Sequence, residues 1–93
     1  MSTVTKALIE RAATELKVAG AREVYVFGSA AKGADAAAAD LDLAVSGLPP
    51  SVFYRVGARL SDLLGRSVDL IDLDISTPFT RYLREEKELV RAG

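Results

Sequence analysis

Asp40 and Asp42 stand two residues apart in the run Asp-Leu-Asp-Leu-Ala-Val, two acids set among apolar neighbours. On a β-strand, alternate residues leave the same face, so both carboxylates would project together, roughly 7 Å apart over two rises of ~3.3 Å. Carboxylates held that close repel unless one takes a proton or a cation sits between them. A divalent metal resolves the conflict, and Mg²⁺ is the natural choice because it is held by one or two carboxylates together with phosphates and water. Asp69, flanked by Val68 and Leu70, is a third candidate. If its strand pairs with the first, three acids face one cleft, the ligand set that suits two metal ions acting on a phosphoryl group.

Ahead of the acids lies Phe27-Gly28-Ser29, where an apolar strand stops. Such a turn exposes backbone N–H groups and a hydroxyl to an anion. Gly28 lets the backbone approach closely because it has no side chain. Ser29 can donate to a phosphate oxygen, and Lys32 adds a positive charge. Taken singly, each of these is an ordinary surface feature. Their shared order and spacing is what points to a nucleoside triphosphate: a turn for the outer phosphates, aimed at acids around the phosphorus under attack.

Composition narrows the chemistry further. The sequence contains no cysteine and no histidine. Thiolate zinc sites, disulfides, thiol nucleophiles and imidazole bases are therefore excluded, and any metal must be held by oxygen. With 12 basic and 13 acidic residues the net charge is −1, which gives no case for stable nucleic-acid binding or for a charged membrane surface. No apolar run approaches the ~18 residues of a membrane span. Met1 to Lys6 is polar and does not read as a signal peptide, so a cytoplasmic location is the expectation.

The elements that must position these residues follow from periodicity. Apolar residues at Val4, Leu8, Ala12, Leu16 and Ala19 predict a helix over Val4 to Val18, ended by Gly20. Glu23 to Phe27 reads as a strand, as do Asp40 to Ser46 and Ser67 to Asp72. A helix from Ser51 to Leu64 buries Val52, Val56 and Leu60, and Pro78 introduces a last helix over Phe79 to Arg91. Residues 1–93 form one small domain with no repeat and no linker. The expected class is α+β, a small sheet with helices packed on one face.

Gly28-Ser29, ten intervening residues and Asp40-Leu41-Asp42 resemble the signature of the DNA polymerase β-like nucleotidyltransferase superfamily, and the short chain looks like its minimal members, the MNT proteins. Val68-Asp69-Leu70 falls where that family places its third acid. The resemblance implies a mixed sheet of three or four strands, and Gly28, Ser29 and Lys32 beside the triphosphate. It implies Asp40, Asp42 and Asp69 as ligands of two Mg²⁺ ions, with Asp69 also assisting deprotonation of the acceptor. The implied reaction is transfer of a nucleoside monophosphate, AMP from ATP, to a hydroxyl of a protein partner. That partner would be a HEPN ribonuclease toxin, with this chain as its antitoxin. The chain departs from the family pattern at Ala30 and Lys32, where an arginine is usual in the turn, and at Ala39, where a serine is common. Lys32 keeps a charge but not the planar two-point fork of arginine. The rival expectation is a module that has lost catalysis and neutralises its partner by binding. It would use Phe79 and Tyr82 or the stretch Pro49 to Tyr54.

Overall fold

The computed structural model describes residues 3–28, 40–86 and 88–93. The elements run α1 (Thr3–Val18), β1 (Glu23–Phe27), β2 (Leu41–Ser46), α2 (Pro50–Leu64), β3 (Val68–Asp72), α3 (Pro78–Glu85) and β4 (Val90–Arg91). The four strands form one mixed sheet in the order β3-β2-β1-β4. β1 pairs antiparallel with both β2 and β4, whereas β2 and β3 run parallel. Parallel neighbours need a crossover, and α2 supplies it.

Strand alternation divides the apolar side chains between two faces. Val24 and Val26 of β1 and Leu41, Leu43 and Val45 of β2 point one way and are buried against Ile9, Ala12, Leu16, Val56 and Leu60 of the two long helices. The stripe of α1 is rotated slightly from the expected one, with Ile9 and Ala13 joining Ala12 and Leu16 in the core. Gly20, at φ 115°, turns the chain out of this helix, and Gly65, at φ 66°, closes α2.

The opposite face is covered less. Phe27, Ala44 and Leu73 pack there against Leu83 of α3, with Tyr25, Ile71 and Leu89 around them. Helices on one face therefore describes α1 and α2, while the short α3 lies across the other. α3 opens with a capping box, in which Thr77 Oγ1 accepts from the Thr80 N–H at 3.1 Å and Thr80 Oγ1 accepts from the Thr77 N–H at 2.9 Å.

The last helix is shorter than periodicity predicts, ending at Glu85 instead of Arg91. Val90 and Arg91 instead pair with Val26 and Tyr25. The physical reason is the free edge of β1, whose backbone groups need partners. Ala92 N–H donates to Val24 O and Val24 N–H donates to Gly93 O, both at 2.8 Å. Arg91 also reaches Glu23 Oε2 at 3.2 Å, and its guanidinium stands 5.6 Å from the centre of the Tyr25 ring.

Candidate active site

The register of β2 against β3 sets Asp42 beside Asp69. Paired residues of neighbouring strands share a face and stand one strand spacing, about 4.8 Å, apart at the backbone. Both acids therefore leave the sheet on the side of α3, away from the main core. Asp40 lies one residue ahead of β2 and is exposed, as is Asp69, whereas Asp42 is half-buried. The fold makes this arrangement from simple parts: Leu41 and Leu43 anchor β2 into the core by their burial, and the residues between them must face outward.

Electrostatics shows that the three acids share one neighbourhood. The Asp42 carboxyl is pushed above its usual range, first by burial, then by the charge of Asp69, then by that of Asp40. Among the described residues no three acids are drawn closely enough to enclose an ion as they stand. The donor set nevertheless fits a hard divalent cation, because every candidate ligand is a carboxylate oxygen and a cation would relieve the crowding at Asp42.

Gly28 follows β1 with φ 69°, a left-handed conformation that suits glycine. A Cβ at this position would overlap Asp42 Oδ2 and lie 3.2 Å from its Cγ. The Asp42 carboxylate thus rests against the bare backbone of the turn. The requirement for glycine comes from the aspartate as well as from any phosphate, a point the sequence alone does not reveal. Ser29 and Lys32, the other residues expected at the turn, lie outside the described residues.

Two further residues join the site. Phe27 is the cross-strand neighbour of Asp42 and packs edge-to-face on Phe79, with ring centres 5.8 Å apart. Phe27, Gly28, Phe79, Tyr82, Leu83 and Glu88 line a cavity of about 240 Å³ alongside the turn. Phe79 and Tyr82, which helical spacing would place in the packed stripe of the last helix and only the binding-module expectation places on a partner surface, are half-exposed here. Phe27 and Glu88 are missed by sequence reasoning. The available signal is the position of Phe27 immediately before the glycine; for Glu88 the sequence offers none.

The family described as Polymerase beta, Nucleotidyltransferase matches residues 8–91. The chain therefore belongs to the polymerase β nucleotidyltransferase family. Within it, the chain resembles the minimal members. A solved structure described as a minimal nucleotidyltransferase is 31% identical, with a TM-score of 0.71 over 92% of this chain and 93% of that one. A structure described as a tri-AMPylated Shewanella oneidensis HEPN toxin in complex with MNT antitoxin is 18% identical, with a TM-score of 0.71 over 96% of this chain and 71% of that chain. A toxin-antitoxin structure with AMP-PNP is 20% identical, with a TM-score of 0.72 over 99% and 73%. These last two share the fold. Comparison with curated protein sequences gives no match.

Proposed function

We propose that this protein transfers AMP from ATP to a hydroxyl of a protein partner in a Mg²⁺-dependent reaction, and that the partner is a HEPN-type toxin it restrains. The observation that carries this reading is the register pairing Asp42 with Asp69 on the face that Gly28 overlooks. The similar solved complexes add support: one holds an AMPylated HEPN toxin and another AMP-PNP.

In this reading the acceptor oxygen bonds to the α-phosphorus, the bond from that phosphorus to the pyrophosphate oxygen breaks, and pyrophosphate leaves. The hydroxyl proton passes to a carboxylate, with Asp69, the more exposed member of the pair, in that role. Asp40, Asp42 and Asp69 would hold Mg²⁺, up to two ions, which when bound neutralises charge on the phosphates and the acceptor oxygen. Gly28, with Ser29 and Lys32 after it, would steady the outer phosphates. Phosphoryl transfer asks mainly for positioning and charge stabilisation, which a 93-residue chain can supply without an imidazole.

The decisive experiment mixes the protein with labelled ATP, Mg²⁺ and a HEPN partner, then repeats it with Asp40→Ala, Asp42→Ala and Asp69→Ala. Label is expected on the partner with the native chain and not with the variants. If the native chain neutralises the partner while transferring nothing, the binding-only reading stands instead. One observation favours that alternative: Phe79 and Tyr82 are 46% and 50% exposed on the face of the acids.

A further inference from the structure

The cavity that Gly28 lines together with the aromatics opens onto the same face as the acids. Its floor is Phe27 and Leu83, which are 6% and 2% exposed. Its wall is Phe79 and Tyr82, three apart on α3 and therefore on one side of that helix. Phe79 makes an edge-to-face contact with Phe27, and the Tyr82 ring is half-exposed. Glu88 completes the lining, its backbone N–H fixed to Leu83 O at 3.0 Å. At about 240 Å³ the space is below the ~300–1,000 Å³ of pockets for drug-sized ligands, and is of a size for one flat heterocycle.

Position adds to shape. Phe27 pairs with Asp42 and Asp42 pairs with Asp69. The floor of the cavity is thus one strand spacing, about 4.8 Å, from the central acid. A ligand whose phosphorus sits at the acids can lay a planar ring on the aromatics next door.

We propose that the cavity lined by Phe27, Phe79, Tyr82 and Glu88 receives the nucleobase of the substrate, and that Glu88 favours bases carrying an amino group. This inference rests on the nucleotidyl-transfer reading. Bases stack on aromatic side chains whatever their identity, so Phe79 and Tyr82 provide affinity. An ionised carboxylate only accepts hydrogen bonds. Adenine, guanine and cytosine offer it an exocyclic amine. Uracil offers one ring N–H between two carbonyl oxygens, which a carboxylate repels. The cavity therefore gives this small protein a means of choosing its substrate within a single chain.

Equilibrium binding with Mg²⁺ present tests the assignment, using ATP, CTP, UTP and inorganic tripolyphosphate as probes and Tyr82→Ala, Phe79→Ala and Glu88→Gln as variants. Stacking is worth about 1–3 kcal/mol per base, so Tyr82→Ala should weaken ATP about tenfold and leave tripolyphosphate unchanged. CTP should bind more tightly than UTP, and Glu88→Gln should narrow that gap. Phe79→Ala disturbs packing on Phe27, so the half-exposed Tyr82 is the primary variant and its melting temperature is measured alongside. If ATP and tripolyphosphate bind alike and Tyr82→Ala changes neither, the cavity assignment fails while nucleotidyl transfer survives. If Tyr82→Ala spares ATP binding but abolishes labelling of a protein partner, the cavity belongs to the acceptor and the assignment fails. If no probe binds, both readings fall together.

Discussion

Asp42 is where the proposed function and stability oppose each other. Its carboxyl is pushed upward by burial and by Asp69 and Asp40, so the folded protein holds this proton more tightly than the unfolded chain does. A raised value means that stability is greatest below the ordinary carboxylate range and is lost as the pH climbs through the elevated one. Asp42→Asn should therefore melt higher than the native protein at pH 7 with a chelator present. The gain should be a few degrees, given that about 1 kcal/mol is worth roughly 4–8 °C in a domain this size. At pH 3 the difference should vanish, since both side chains are then neutral. Adding Mg²⁺ at pH 7 should raise the native melting temperature and leave the variant unmoved. A native protein indifferent to Mg²⁺ would contradict the metal role given to these acids. Gly28 is tied to the same carboxylate. Gly28→Ala meets a left-handed backbone, costing about 1–2 kcal/mol, and drives a methyl into Asp42. Nucleotidyl transfer should drop by at least tenfold, as a misplaced catalytic group commonly costs 10²-fold. The sequence makes the acids legible because strand alternation needs only one chain segment. It does not reveal the contact between Gly28 and Asp42, which depends on two segments meeting.

At the scale of elements, the long periodic segments are the legible ones. β1 spans Glu23–Phe27 as the sequence predicts, and the two long helices agree with their predicted ranges to within a residue at either end. The failure is confined to the C-terminal stretch. Leu89 and Val90 continue the apolar spacing of α3, and spacing alone cannot distinguish a last helical turn from a short edge strand. The deciding influence is the open side of β1, about 65 residues away in sequence, as the pairing of Tyr25 with Arg91 shows. α3 itself depends on its start. Thr77 and Thr80 satisfy each other's N–H groups, and Thr80 Oγ1 donates to Ile75 O at 3.0 Å from a position only 4% exposed. Thr77→Ala removes the cap and should cost about 1 kcal/mol, read as a lower urea midpoint with an unchanged slope. α3 carries Phe79 and Tyr82, so the same variant should also weaken ATP binding. Unaltered stability would show that the cap is redundant with the packing of Leu83.

Over the whole molecule, the sheet serves two masters. One face gives Val24, Val26, Leu41, Leu43 and Val45 to the main core, all at most 2% exposed, and the other carries the acids over the smaller cluster around Leu83. Any force that holds the main core flat also holds Asp42 in register with Asp69, so damage on one face should be felt on the other. Leu60 is fully buried against that core from α2. Leu60→Ala should cost about 2–5 kcal/mol, a large share of the 5–15 kcal/mol that stabilises a typical domain. A ligand that binds only the folded form adds about 2.7 kcal/mol when present at 100 times its dissociation constant. Mg²⁺ with a non-hydrolysable ATP analogue should therefore restore much of the lost melting temperature in Leu60→Ala. It should restore little when Asp42→Asn is added, because the nucleotide then lacks the central acid. Thermal melts of the single and double variants, with and without nucleotide, measure this coupling. Equal recovery in both would mean that the nucleotide binds elsewhere than on the acid face of the sheet, and no recovery in either would mean that the folded chain does not bind it.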